Sequence, residues 1–249
     1  MNEEKTIALM PEADASGFVK TLNNMGFMTT YLDEFSQEFV EYAAQARGPA
    51  LDIGCAYGNA ALPALQRGAQ LLANDVDPRH LEIVTARATA AGLQSRLTLL
   101  PGAFPQDLQI AAGSLGAALA CRVFHFFDGP QIEQGVRTVA GWLKQGGKFY
   151  LVAETPYVGG VKSFIPTYEE RRSQGVRWPG FIEDFTQIDP LRSKDLPKTM
   201  HLLDEEVLRR AFEEAGLVVE RAHKFARPLF PAGLKLDGRE SVGIVGRKP

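Results

Sequence analysis

The residues whose types and spacing best suit chemistry stand in the run ALDIGCAYG, residues 50–58. Asp52, Gly54, Ala56 and Gly58 follow one another there in the order D-x-G-x-A-x-G, with Cys55 among them. Glycine reaches backbone dihedrals closed to other residues and puts no side chain between the chain and a ligand. Ala56 is nearly as small. Such a run lets a nucleotide-like molecule lie close against the backbone, and a helix after it presents free N–H groups at its N-terminus. Asp52 adds a carboxylate, and a second acid, Asp75, closes the run LLAND. A pyrophosphate-binding turn of the dinucleotide type wants glycines in the order G-x-G-x-x-G. Counted from Gly54, its third glycine falls at Asn59, and an acid at 52 is unwelcome beside a pyrophosphate. A nicotinamide-dependent oxidoreductase is therefore the weaker reading of this turn.

These residues need a frame. ALDI reads as a strand, CAYGN as a turn, and AALPALQRG as a helix closing at Gly68. QLLANDVD is a second strand, followed by a helix with Pro78 at its start and Gly92 past its end, the usual asymmetry. RLTLLPG is a third strand. SLGAALACRVF holds a fourth, nearly all apolar, as suits a strand buried on both faces. A helix over QIEQGVRTVAGWLKQGG and a fifth strand, KFYLVAETP, complete the alternation. The helix DEEVLRRAFEEAG starts at an N-cap, Asp204, and LVVERAHKF and ESVGIVGRK form a final antiparallel hairpin at one sheet edge. The prediction is an α/β fold: an open, mostly parallel, seven-stranded sheet, helices on both faces, an antiparallel C-terminal edge strand and a partly helical cap. Four parts follow. Residues 1–47 are a helical segment over the ligand site, with 1–17 a loosely docked tail. Apolar residues recur at helical spacing from Phe18 to Ala46 with a break near Gly26, and Phe35, Phe39 and Tyr42 share one face. Residues 48–155 are the binding core, 156–203 the cap, and 204–249 the C-terminal part of the core. The stretch 156–203 lacks a strand–helix rhythm and is too long for a plain loop in a compact domain.

The D-x-G-x-A-x-G turn, the acid at Asp75 and the β/α order together resemble the class I, Rossmann-like methyltransferases that use S-adenosylmethionine. Ala56 replaces the family's middle glycine. The resemblance covers residues 50–155 well and the C-terminal part more loosely. It implies S-adenosyl-L-methionine as cofactor and S-adenosyl-L-homocysteine as product. Asp52, with Gly54, Cys55, Ala56 and Gly58, would face the methionine end, whose ammonium suits an acid. Asp75 would accept from the ribose hydroxyls and Val76 would pack on the adenine. In LTLLPGAF many family members carry an acid where Ala103 stands, which leaves adenine recognition to backbone groups near Ala103 and Phe104. Cys121 and Arg122 match the places beside the sulfonium centre. Tyr31 would close over the methionine carboxylate, with plain packing an equal alternative.

For the acceptor end the candidates are His125, after the fourth strand, and Glu154 and Tyr157, closing the fifth. His125 could act as a base, with a packed or capping histidine as the alternative, and Glu154 and Tyr157 could face the acceptor. Cys55 and Cys121 read as small pocket-lining residues, since no Cys–His pairing is visible. His201 reads as a contact at the start of the helix capped by Asp204. Arg171, Arg172 and Arg177 read as a solvated face. No metal site is expected.

The totals bound the function. With 249 residues, 45% hydrophobic and 23% charged, the chain has the composition of a folded globular protein. A net charge of −3 without a dense basic run argues against nucleic acid as substrate. Two cysteines do not make a disulfide framework, and no apolar run approaches a membrane span. The acidic N-terminus does not read as a secretory signal. The expectation is a cytoplasmic monomer or homodimer moving a methyl group to an O, N or C nucleophile of a small molecule. The aromatic content of the cap suits a flat or apolar acceptor. A methyltransferase-like binding protein without catalysis is the alternative in a different class.

Overall fold

The computed structural model describes residues 10–15 and 17–249. Most of the tail expected over 1–17 therefore lies outside the described residues. The elements in chain order are β1 (Phe18–Lys20), β2 (Phe27–Thr29), α1 (Glu34–Ala43), β3 (Ala50–Ile53), α2 (Ala61–Gln66), β4 (Leu71–Asp75), α3 (Pro78–Ala90) and β5 (Leu97–Pro101). There follow β6 (Leu115–Cys121), α4 (Gly129–Trp142), β7 (Leu143–Glu154), α5 (Ile165–Ser173), β8 (Phe181–Ile182), β9 (Met200–His201), α6 (Glu205–Glu214), β10 (Val218–Phe225) and β11 (Ser241–Arg247).

Seven strands form one sheet in the order β10-β11-β7-β6-β3-β4-β5. The pairs from β5 through β7 are parallel, β11 runs antiparallel between β7 and β10, and β10 lies outermost. This is the expected sheet with its C-terminal antiparallel hairpin. The period-2 alternation of side chains decides which layer each residue joins. Leu51 and Ile53 face a core with Ala118, Ala120, Phe149 and Leu151, covered by α4 and α6. Ala50, Ala117, Leu119 and Tyr150 face the opposite core, with Phe35, Phe39 and Val40 of α1 and Leu62 and Leu65 of α2. Full burial of side chains such as Leu51 or Ile53 contributes about 1.5–3 kcal/mol each. The chain leaves β3 for β4 and β5 on one side and reaches β6 and β7 on the other. The switch point therefore lies between β3 and β6, where open α/β sheets receive their ligands.

One expectation fails. Residues 18–29 are not helical. They form a hairpin of β1 and β2, pairing Phe18 with Thr29 and Lys20 with Phe27. Asn24 (φ +55°) and Gly26 (φ +96°) take the left-handed backbone that its turn requires. The helical spacing is real only from Glu34, where Asp33 caps α1 by accepting from the amides of Phe35 and Ser36. Tyr42, half-buried, packs against the same core beside Tyr150 and donates to the Gly146 carbonyl at 2.9 Å. The cap is partly helical, as expected: α5, three 3-10 segments and the β8–β9 ladder enclose an aromatic cluster containing Tyr157, Phe164, Tyr168 and Phe185.

Candidate active site

Two cavities open at the carboxyl ends of β3, β6 and β7. The first, about 330 Å³, lies at the switch point. Its floor is the turn after β3. Gly54 has φ +63°, and a Cβ there would stand 2.6 Å from Val123, so only glycine fits. Ala56 holds φ +45°, a backbone that costs an L-residue roughly 1–2 kcal/mol. It is kept there by a hydrogen bond from its N–H to the Asp75 carboxylate at 2.9 Å. Strain of this kind tends to persist where a functional site over-determines the backbone.

Asp52 and Asp75 sit side by side at the ends of β3 and β4, both buried and both lining the cavity. Burial, with the neighbouring Asp75, pushes the Asp52 carboxyl up to about 7, although the Ala61 amide opposes this. A cation in the cavity would be matched by that carboxylate. Asp75 also accepts from the Asp77 amide and, at 3.0 Å, from His80 Nδ1. His80 Nε2 accepts from the Leu22 amide at 3.0 Å, which assigns the proton to Nδ1. The hairpin turn is thereby tied to the strand-end acid. Asp77, by contrast, caps α3 and pairs with Arg79, which holds its carboxyl below the usual range.

Every residue expected at the cofactor end except Gly58 lines this first cavity: Tyr31, Asp52, Gly54, Cys55, Ala56, Asp75, Val76, Ala103, Phe104, Cys121 and Arg122. Gly58 (φ +81°) instead completes the turn beneath it, against Val84. Val76 is 54% exposed at the cavity, a large apolar side chain open to a ligand face. The Ala103 amide donates to Asp107 at 2.9 Å. Burial pushes the Cys55 thiol well above its ordinary value and the Cys121 thiol up to about 11. Both thiols stay protonated at neutral pH, which agrees with a lining role.

The second cavity, about 300 Å³, lies between the hairpin, the cap and β7. Arg122 and Phe126 line both cavities, so the two share a wall. His125 and Glu154 line the second cavity and are buried. Burial, outweighing Glu154 and aided by Arg122, Arg192 and Arg227, pulls His125 down to about 3. Its imidazole is neutral, and Nδ1 has no hydrogen-bond partner among the described residues. Glu154 accepts from Arg192 Nη2 at 2.8 and 2.9 Å and from Arg227 Nη1 at 3.3 Å. Burial raises the Glu154 carboxyl, but these two arginines outweigh it and hold the acid ionised, below its ordinary value. An acid so engaged is a poor proton acceptor.

Tyr157 does not reach either cavity. Its hydroxyl donates to Glu169 inside the cap, and the Arg239 guanidinium stacks on its ring at 3.6 Å. Its hydrogen bond points it away from the crevice, which corrects the catalytic expectation. His201 Nδ1 lies 3.0 Å from the Phe127 carbonyl, in the turn before α4, rather than meeting a group at the start of α6. Arg172 and Arg177 pair with Glu206, Glu133 and Glu214 at the surface. Arg171 binds the Pro179 and Phe181 carbonyls.

The sequence reading missed His80, Asp33, Arg192 and Arg227. Asp33 bridges to Arg122 Nη1 at 3.2 Å while capping α1. His80 had a local signal, one helical turn into α3 beside the strand-end acid. The arginines had none, because their carboxylate partner is 38 and 73 residues away in sequence. Among the described residues no group of three or more potential metal ligands occurs, and no helix is long and apolar enough to cross a membrane.

Comparison with known proteins agrees with this geometry. Residues 50–147 match the family described as "Methyltransferase domain". Uncharacterized proteins of Mycobacterium tuberculosis and Mycobacterium bovis are 31% identical over 120 residues, 47% of this chain and 42% of theirs. The match thus spans less than half the length of these curated relatives. Among solved structures, the geranyl diphosphate C-methyltransferase of Streptomyces coelicolor is similar with a TM-score of 0.60, 14% identity, and coverage of 86% of this chain and 79% of that one. A SAM-dependent methyltransferase of Methanosarcina mazei gives a TM-score of 0.60 at 16% identity, over 87% and 98% of the two chains. By sequence match and strand order together, the segment from residue 50 to residue 147 is a methyltransferase domain of the class I, Rossmann-like kind.

Proposed function

We propose that the chain is an S-adenosylmethionine-dependent methyltransferase acting on a small-molecule acceptor. The carrying observation is the paired acids Asp52 and Asp75 at the mouth of a glycine-built turn. The residues present fit the cofactor. A buried carboxyl raised to about 7 calls for a cation, which the methionine ammonium would supply. Tyr31 Oη and Ser36 Oγ are buried beside the cavity without partners among the described residues and can meet the carboxylate end. Asp75 would hold the ribose, and the exposed Val76 would pack against the base. The cofactor, when bound, supplies an electrophilic methyl group. The chain would orient acceptor and donor across the wall formed by Arg122 and Phe126, and exclude water with hairpin and cap. His125 lines the second cavity beside the acceptor, but burial and the three arginines that pull it down to about 3 make it a weak base, and Glu154 orients arginines rather than acting as base. A small acceptor is favoured by the size of the second cavity, about 300 Å³. The similar S. coelicolor structure is described as a complex with geranyl diphosphate, itself a small molecule.

Isothermal calorimetry with S-adenosylhomocysteine tests the reading, with NAD as the competing ligand. Micromolar binding of S-adenosylhomocysteine and none of NAD is expected. Binding of NAD alone would replace this reading with the oxidoreductase one. Methyl release from labelled cofactor with a metabolite panel separates an enzyme from a binding protein.

A further inference from the structure

The second cavity contains more buried positive charge than its neighbours answer. Arg192 and Arg227 both point to one carboxylate, Glu154. Arg122 is taken by Asp33. Among the described residues no third carboxylate forms an ion pair with these guanidinium groups: the buried Asp189 and Glu240 meet the backbone amides of Arg192 and Arg227 instead. The donors tell the same story. Arg122 Nε, Arg192 Nη1 and Arg227 Nε are all buried without a hydrogen-bond partner among the described residues. Arg227 is 4% exposed and His125 6%, and both line the cavity. Leaving such a donor unmet costs about 1–3 kcal/mol, more for a charged group. Three of them around one cavity are a standing cost that a ligand acceptor would remove. The other carboxylates of the lining are at the rim: Asp195 is bound to Lys20 at 2.6 Å, and Asp14 is exposed and accepts from the Phe18 amide. The rest of the wall is apolar. Arg227 lies flat on Phe230 at 3.7 Å with Phe18 beyond it, and Phe27, Met200 and Leu234 continue the surface.

We infer that this cavity selects an acceptor with an anionic head, a carboxylate or a phosphate, held by Arg192 and Arg227 while its apolar body lies against Phe18, Phe27 and Phe230. The inference rests on the second cavity being the acceptor site of the methyltransferase proposed above. Guanidinium forks match both anions with paired hydrogen bonds, and stacking on Phe230 fixes the fork in advance. The head would sit beside His125, and the wall shared with the first cavity sets how far the reacting atom stands from it.

The test is calorimetry of the full chain with three probes of one chain length: octanoate, octyl phosphate and 1-octanol, each with and without S-adenosylhomocysteine. At least one charged probe is expected to bind tenfold or more tighter than 1-octanol. Octanoate ahead of octyl phosphate assigns a carboxylate head; the reverse assigns a phosphate. Arg192→Gln and Arg227→Gln should each weaken the charged probe tenfold or more and change 1-octanol less than twofold. Glu154→Gln should strengthen the charged probe severalfold, since it removes the competing carboxylate; a purely structural ion pair would not show that gain. S-adenosylhomocysteine binding should stay within twofold throughout. Arg192, partly exposed in the cap, carries the test if the buried Arg227 variant does not fold. Equal binding of 1-octanol and the charged probes, or unchanged charged-probe binding in a folded Arg192→Gln protein, overturns the inference. Loss of S-adenosylhomocysteine binding by wild type, with arginine-dependent octanoate binding retained, would remove the cofactor reading and leave the anion site standing.

Discussion

The first cavity is made mostly of backbone, and the second mostly of side chains. Around the first, a turn at residues 54–58, the ends of two adjacent parallel strands and the start of a helix present dihedrals, amides and two acids from a short run of chain. Around the second, groups arrive from the turn after β6, the end of β7, the cap and the loop after β10. The backbone-built site depends on which residues are small or able to turn. The side-chain site depends on charges that meet only in the folded molecule. The two should therefore fail differently under mutation.

The largest effect expected is at Asp75. Asp75→Ala removes the acceptor of the Ala56 amide, the Asp77 amide and His80 as well as the ligand's own contact. Charge-assisted hydrogen bonds of this kind contribute roughly 1.5–3 kcal/mol each, so S-adenosylhomocysteine affinity should fall about 100-fold by calorimetry. Octanoate binding should change less than threefold; an equal loss at both sites would erase the distinction between them. Next comes pH. The free protein holds the Asp52 proton up to about 7, whereas a cationic ligand favours the carboxylate. Binding then releases a proton below that pH, and affinity should fall by up to about tenfold per unit as pH drops from 7 toward 5. Asp52→Asn should bind more weakly at pH 8 and flatten the slope. A wild-type affinity that rises toward acid would contradict the role given to Asp52.

Asp77→Asn or Asp77→Ala sharpens the assignment of the two neighbouring acids. Asp77 caps α3 and pairs with Arg79 at its exposed flank. Its removal should cost about 1 kcal/mol of stability in urea unfolding. S-adenosylhomocysteine binding should stay within threefold. The smallest effect is at Ala56. Ala56→Gly relieves the positive φ but loosens the unfolded chain, a net gain of about 0.5 kcal/mol or less. A loss of stability would show that the methyl group packs rather than strains.

The same contrast explains what could be read before folding. The β/α alternation from Ala50 to Glu154 is carried by apolar runs and Gly–Pro punctuation, both local, so sheet, helices and the Asp52–Asp75 pair were legible. Cys121 and Arg122 followed from the resemblance to the family's fourth-strand motif. The stretch from Phe18 to Thr29 was misread because three-residue strands are too short to display period 2, and their apolar residues also fit a helical spacing. Tyr157 looked free at a strand end because its partner, Glu169, lies beyond a turn in the cap. Arg192 and Arg227 carried no signal, since an arginine in a loop looks the same whether it ends in water or beside a buried Glu154.

The His80 imidazole has a further consequence. It has one proton to give and one lone pair to offer, and both are spent: one toward Asp75, the other on the Leu22 amide. The hairpin and the strand-end acid therefore share a single spacer of fixed length. Anything that pins Asp75 narrows the positions open to residues 21–29, and anything that seats those residues steadies Asp75 in return, since such influence is necessarily mutual. Thr21 and Asn23 border the first cavity, Gly26 the second, and Met25 and Phe27 both. An occupant of the first chamber would thus bear on the wall of the second through the ring of His80.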